Sequence, residues 1–406
     1  MPPATISRRS RETFRINNSE KINEEVTAAY VRLDGKLLEN RLQWVTGIRF
    51  ENTRDTGQGP LINPDAVYQR SPDGSYVDAD PAMPGIQRAR RPAAGAPGSI
   101  TEVGLTHVER GFRAEREYHG YYPSLHLNYN LTEDFVIRAA YAKTLGRPDY
   151  ADIIPNIDFD LEEDPTIPGT ITVSNTGLQP WTADNFDLSL EYYFGRGSVA
   201  SIGGFIKNLD NFWGTSSRPL TPELMQQFGL DETYANWTVE TQINVGKARI
   251  SGAEFNYVQR LEFLPGWARH FSISTNGTLL HLEGDNAADF RRFISKTGNF
   301  SLGWSRSPVS ARLTWNYRGK QKNGPQTGNQ YGANNGFWEY YDSRYNLDAN
   351  FEYAFSSRFR LFANARNILN EPQVLERFSL TSARYAAPYR HEEFGIQIVI
   401  GLKGTF

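Results

Sequence analysis

The last fourteen residues, Glu393 to Phe406, alternate without a break. Phe394, Ile396, Ile398, Ile400, Leu402 and Phe406 fall on one face of an extended strand, with Gly395, Gln397, Val399, Gly401, Lys403 and Thr405 on the other. One face wants hydrocarbon and the other tolerates water. The chain then stops on an aromatic residue with no polar tail. Such a strand leaves an edge to be paired, and closing a sheet into a barrel is the arrangement that removes edges.

The hydropathy profile agrees with strands and not with spanning helices. No run approaches the roughly 18 apolar residues that a membrane helix needs, and the mean hydropathy is -0.55. Transmembrane strands show lipid only every second residue, so their average hydropathy stays low while aromatics gather at the two interfaces. Here 13% of residues are aromatic, 21 Tyr and 24 Phe among them. A large soluble β-protein shares that composition, so the strand pattern has to decide. The absence of cysteine excludes a disulfide framework and thiolate metal sites. A net charge of -3 offers no bulk attraction to nucleic acid, and Arg88, Arg90 and Arg91 read as a solvated loop before a phosphate site. No apolar segment of a secretory signal follows Met1.

Extended runs recur in pairs along the chain. Ile22 to Leu33 and Leu38 to Asn52 read as a hairpin turning at Asp34-Gly35, after polar residues 1–19. Residues 54 to about 116 lack periodicity and read as a long surface loop. Pro123 to Leu131 and Phe135 to Lys143 flank Thr132-Glu133-Asp134, and a loop is expected over about 147–183. Phe186 to Phe194 and Val199 to Lys207 flank Gly195-Arg196-Gly197, followed by a loop to about 242. Ala248 to Val258 pairs with Phe271 to Leu280, Phe300 to Trp304 with Val309 to Tyr317, and Tyr345 to Phe355 with Phe359 to Ala365, with a loop at about 320–339.

This amounts to about thirteen strands of roughly 9 to 14 residues, the length a tilted strand needs to cross a bilayer. Short and long connections alternate, as they do where tight turns lie on the periplasmic side and long loops outside. If the final strand ends in the periplasm, residues 1–19 begin outside.

Five stretches then resemble the barrels of TonB-dependent outer-membrane receptors. They are Ala139-Ala140-Tyr141-Ala142-Lys143-Thr144-Leu145-Gly146-Arg147-Pro148, Gly177-Leu178-Gln179-Pro180, Ile250-Ser251-Gly252-Ala253-Glu254, Asn364-Ala365-Arg366-Asn367-Ile368-Leu369-Asn370-Glu371-Pro372 and Gly401 to Phe406. The resemblance implies an all-β, antiparallel transmembrane barrel, of which residues 1–406 are the C-terminal portion of a 22-stranded barrel around a plug. On this reading the plug, the TonB box and the signal peptide are absent, so TonB is reached only through those missing parts. It implies uptake of a scarce small-molecule ligand, a metal chelate, cofactor or glycan, with outer-membrane lipid and the barrel-assembly machinery as partners. The alternatives are a passive pore, a surface adhesin or a non-functional truncated product. Thirteen strands alone are expected to stay an open sheet, because an odd number brings first and last together in parallel.

No enzyme constellation, cofactor motif or paired metal-ligand spacing appears among the residues. The acidic run Asp158, Asp160, Glu162, Glu163 and Asp164 reads as a solvated loop before a Ca²⁺ site. Glu254 is expected to meet an Arg on the polar face, and Pro148 to end a strand. The ligand-binding candidates are aromatic residues of external loops, Trp213 and Trp237 in one and Tyr331, Phe337, Trp338, Tyr340 and Tyr341 in another. Membrane-interface anchoring is the competing role for Trp338, Tyr340 and Tyr341. The terminal strand, Phe394 to Phe406, is the candidate surface for barrel assembly.

Overall fold

The computed structural model describes residues 7–82, 87–160, 169–228, 234–284, 292–325, 337–379, 382, 383, 385 and 387–405. In chain order the elements are α1 (Arg8–Asn17), β1 (Lys21–Leu37), β2 (Leu42–Ile62), α2 (Ile100–Thr106), β3 (His107–Asn130), β4 (Phe135–Gly146), α3 (Tyr150–Ile153), β5 (Ile157–Asp160), β6 (Thr170–Val173), β7 (Trp181–Phe194), β8 (Ser198–Pro219) and α4 (Pro222–Phe228). There follow β9 (Thr238–Arg260), β10 (Phe271–Gly284), β11 (Lys296–Arg306), β12 (Val309–Arg318), β13 (Gln321–Pro325), β14 (Trp338–Tyr341), β15 (Arg344–Ala354), β16 (Phe359–Arg366), β17 (Gln373–Phe378), β18 (Pro388–Glu392) and β19 (Gln397–Gly404). No helix among the described residues is long and apolar enough to cross a membrane.

Thirteen strands form one antiparallel wall in the order β1-β2-β3-β4-β7-β8-β9-β10-β11-β12-β15-β16-β19. Its end strands, β1 and β19, do not pair with each other, so the sheet is open. The alternation read from the sequence holds in register. Leu302, Leu313, Ala349, Ala365 and Ile398 lie directly opposite one another on five successive strands, and two residues away Trp304, Ala311, Phe351, Ala363 and Ile400 do the same. The apolar band is bounded by aromatic pairs. On β4 and β7, Phe135 meets Tyr192 at the short-turn end and Tyr141 meets Phe186 at the other, with centroids 6.4 Å and 5.1 Å apart. On β12 the apolar face runs from Val309 to Tyr317, nine residues of tilted strand that cover roughly 20 to 25 Å, the height of a hydrocarbon band.

Several sequence readings need correction. The first hairpin turns at Leu38–Arg41, not at Asp34-Gly35, because Gly35 lies opposite Trp44 within the ladder. The Trp44 indole covers it so closely that a Cβ would lie 2.8 Å from the ring. Arg41 secures the turn by donating to the Asn130 and Leu131 carbonyls of the next one. The long loops are shorter than periodicity suggested, and several strands exceed 14 residues. β2 runs to Ile62 and β3 starts at His107, β8 runs to Pro219, and β9 starts at Thr238. Above the membrane band both strand faces meet water or other protein, so the hydrophobic alternation stops while the hydrogen-bonded ladder continues. Residues 8–17, read as merely polar, form α1, capped by Ser7. The terminal run is also broken. Gly395 takes φ +76°, so Phe394 and Ile396 lie in a link between β18 and β19, while Ile398, Ile400 and Leu402 stand exposed on the apolar face of β19. Phe406 lies outside the described residues.

The best-buried residues sit in the external part. Ile157, Ile171, Leu220 and Val239 form a small core across β5, β6, β9 and the segment before α4. The strands β13-β14-β17-β18 make a second sheet that repeats the order of β12-β15-β16-β19, each continuing its wall strand after a short break.

Candidate functional site: the polar face and its external mouth

Opposite the apolar band the wall is lined with amides and hydroxyls. Asn256, Asn276, Asn299, Asn316 and Asn346 are direct cross-strand partners on β9, β10, β11, β12 and β15. The Asn299 carboxamide donates to Asn276 at 2.9 Å. Ser274, Ser301, Thr314 and Asp348 make the adjoining row, where the Ser301 and Thr314 hydroxyls are 3.0 Å apart. Only the register aligns these residues into rows. The surface is uncharged along these two rows except for Asp348, and it can offer both donors and acceptors. On the same face Arg138 binds Glu191 at 2.9 Å and Asn128 at 3.0 Å. It is thereby committed to Glu191 and not to Glu254, whose carboxylate makes no ion pair among the described residues.

Toward the external end, residues 147–160 and 169–180 fold onto the polar face of β2 and β3. Arg147 forms ion pairs with Glu51 and, at 3.8 Å, with Glu24, and Glu51 also accepts from Arg49 at 2.8 Å. Arg116 meets Asp55 at 2.7 Å and donates to the Leu178 carbonyl. The buried residues Ile153, Ile154 and Pro155 press against β2 at Gly57 and Gly59, where a Cβ would overlap Pro155. Arg147-Pro148 and Gly177 to Pro180 are therefore the two attachments of this strap, and Pro148 is buried just past the end of β4. Among the acidic run, Asp158 lies on β5, and Glu162, Glu163 and Asp164 lie outside the described residues.

The aromatic candidates separate into two places. The Trp213 indole, on β8, donates to the Gln179 carbonyl at 2.7 Å. Trp237 packs with Tyr234, 4.9 Å between centroids, against the small external core. These two are tied into the strap and the core. Trp338, Tyr340 and Tyr341 form β14, Phe337 immediately precedes it, and Tyr331 lies outside the described residues. Tyr340 stacks on Phe378 with centroids 4.4 Å apart and planes at 16°. The Lys320 ammonium lies 5.6 Å and 4.7 Å from those two rings and pairs with Glu376, and Lys322 lies 3.5 Å from the Trp338 ring. Burial pushes the Tyr340 phenol above its ordinary value. Glu339 is buried against Arg377 at 2.9 Å and Asn323 at 2.7 Å. A strip of stacked rings bordered by ammonium groups can hold a planar ring and an adjacent negative or hydroxyl-rich group.

The other arginines flagged by sequence have partners. Arg88 lies 3.8 Å from the Tyr76 ring centroid and 3.8 Å from Asp65, Arg90 lies 3.7 Å from Glu102, and Arg91 donates to the Ala66 carbonyl at 3.2 Å. They brace residues 63–82 and 87–106. Among the described residues no three His, Asp or Glu side chains converge on a metal position.

Comparison with known proteins follows this architecture. Residues 3–368 match the family described as TonB dependent receptor-like, beta-barrel. Among solved structures, the ferric enterobactin receptor PfeA of Pseudomonas aeruginosa, a Q482A mutant in complex with enterobactin, is similar at TM-score 0.57 and 17% identity, covering 95% of this chain and 55% of that one. The ferric-catecholate import receptor Fiu of K12 E. coli gives TM-score 0.59 at 12% identity, over 95% of this chain and 45% of that one. The copper transporter OprC gives 0.57 at 15%, over 96% and 49%. This chain thus spans about half the length of those structures. No curated protein matches it by sequence.

Proposed function

This chain belongs to the TonB-dependent receptor β-barrel family, and we propose that its polar face lines the route by which a scarce small ligand crosses the outer membrane with energy delivered through TonB. Barrels of this family reside in the outer membrane of Gram-negative bacteria, and they are transporters, not enzymes. Residues 1–406 act as one partial barrel domain, held in outer-membrane lipid by the apolar band. The barrel-assembly machinery engages the exposed C-terminal strand.

The observation that carries this reading is the two-faced wall. A lipid-width apolar band backs directly onto the asparagine row, and such a sheet is stable only between hydrocarbon on one side and a polar lumen on the other. A metal chelate leads the ligand classes, ahead of a cofactor or glycan. Enterobactin, ferric-catecholate and copper are the cargoes named for the similar structures, and the Tyr340, Phe378 and Lys320 strip suits a ring carrying negative oxygens. Uptake of radiolabelled iron or copper chelates by cells carrying the protein tests the reading. Uptake should vanish when TonB is deleted or the proton gradient is collapsed. Uptake that persists at the same rate in both cases would instead make the protein a passive pore.

A further inference from the structure

At the external end of the asparagine row, Arg318 on β12 lies directly opposite Arg344 on β15. Like charges in direct cross-strand register repel. Among the described residues neither guanidinium makes an ion pair, and the Nε of each is buried without a hydrogen-bond partner. Among the described residues, the hydrogen bond made by these head groups is from Arg344 Nη2 to the Glu371 carbonyl at 3.1 Å. Asp348, two rows along the same face opposite Thr314, is already engaged. It accepts from the Asn316 carboxamide at 3.4 Å and from the Asn367 backbone N–H at 2.9 Å. Arg318 also lies 5.7 Å from the Tyr341 ring centroid, which props its planar group at the junction between the wall and β14.

We propose that Arg318 and Arg344 form an oxyanion clamp that takes a carboxylate or phosphate group borne by the incoming ligand. Two guanidinium forks in register present planar donor pairs to such a group, and the anion removes the repulsion between them. Asn316 and Asn346 are the next direct pair along the same face, two residues away, and supply amide donors at the clamp's edge. The clamp deepens the proposed transport function and rests on the polar face being the lumen wall. It adds a charge requirement to the ligand.

The test uses the full chain refolded in detergent micelles and inorganic phosphate as probe, titrated by calorimetry against sodium chloride of matched ionic strength. The double variant Arg318→Gln with Arg344→Gln should bind phosphate at least tenfold more weakly, while Arg260→Gln, whose arginine pairs with Glu262, should bind as the unsubstituted chain does. Without phosphate, the double variant should unfold at the same or a higher temperature, because a repulsive pair has gone. Unchanged phosphate affinity in the double variant, or an equal loss in Arg260→Gln, overturns the clamp. If the double variant does not refold, Arg318→Lys and Arg344→Lys keep the charge but remove the fork. Each should still weaken phosphate binding by about threefold or more, and full retention in both overturns the clamp. Phosphate binding is read without uptake, so its failure leaves the TonB-driven reading standing, and loss of that reading leaves the clamp standing.

Discussion

Arg116 on β3 and Asp55 on β2 face each other across the ladder at 2.7 Å, and both side chains are almost wholly buried. Arg116 also holds the Leu178 carbonyl, so one ion pair fixes both the external ends of β2 and β3 and the strap that crosses them. Breaking a buried pair from one side leaves the other charge uncompensated, at a cost of about 3 to 5 kcal/mol. Arg116→Ala should therefore lower the unfolding midpoint in denaturant and expose residues 169–180 to protease. A variant with wild-type stability and an uncut strap would show that the pair contributes nothing.

The strap can be released without touching any charge. Gly59 lies under the Pro155 carbonyl, where a methyl group has no room. Gly59→Ala should free the 147–160 segment to chymotrypsin, at Tyr150 and Phe159, while the β12, β15 and β16 ladder keeps its hydrogen-exchange protection. Protection of the segment equal to that of the unsubstituted chain would mean that the close approach is not what holds it.

Register predicts which side chains meet lipid. Leu313 lies mid-strand in the row with Leu302, Ala349, Ala365 and Ile398, whereas Thr314 lies on the polar face beside Ser301. Leu313→Arg should destabilise the protein in lipid vesicles by about 2 to 4 kcal/mol, and Thr314→Arg by clearly less. Equal effects at the two positions would mean that the faces are assigned wrongly.

The membrane band was legible in the sequence because one face of each strand answers to a single solvent, hydrocarbon, which writes a period of two into the residues. What lay above it was not. β2 beyond Asn52, β8 beyond Lys207 and the sheet containing β14 meet mixed surroundings, so their hydrogen bonds persist without a hydrophobic period. Gly35 shows the converse error, a turn residue by its chemistry that serves as the floor beneath Trp44. At the mouth, the aromatic residues were visible as residue types. That Trp213 bonds to the strap while Tyr340 stacks on Phe378 depends on pairings many residues apart, which no local pattern carries. The same holds for Arg318 and Arg344, whose meeting depends on the β12 to β15 register.

The corner where α2 runs into β3 should be sensitive to acid. Burial, with Arg9 adding to it, holds the His107 imidazole below its ordinary value, against an opposing effect of Glu102, and its Nδ1 lies 2.7 Å from the Thr106 hydroxyl. The folded state therefore binds the proton less tightly than the unfolded state does. Its stabilisation is complete above the ordinary histidine value and is lost as pH falls from there toward the folded value. Proteolysis of the 63–106 segment should be faster at about pH 5 than at about pH 7.5, relative to a short reference peptide, and His107→Gln should abolish that difference. A His107→Gln ratio matching the unsubstituted chain would exclude His107 as the cause.

Asn367 ties together the links between the wall and the sheet above it. It takes φ +54°, its side chain donates to the Glu371 and Gly395 carbonyls at 3.3 Å and 3.2 Å, and its Oδ1 accepts from the Glu371 N–H at 2.9 Å. Its own N–H is held by Asp348 on β15. One residue thus joins the links that follow β16 and precede β19 to the wall strand beside them. Asparagine tolerates the left-handed region better than other residues with a Cβ, and its carboxamide satisfies the backbone groups that the break leaves without ladder partners. Asn367→Ala should cost about 1 to 3 kcal/mol, from lost hydrogen bonds together with backbone strain. Asn367→Gly relieves the strain but not the lost bonds and should fall between. Hydrogen exchange should quicken in β14, β17 and β18 in both variants, while β12 and β15 stay protected. If exchange in β14 and β17 were unaltered in Asn367→Ala, the upper sheet would be held by its own contacts, and the asparagine would have no part in holding it to the wall.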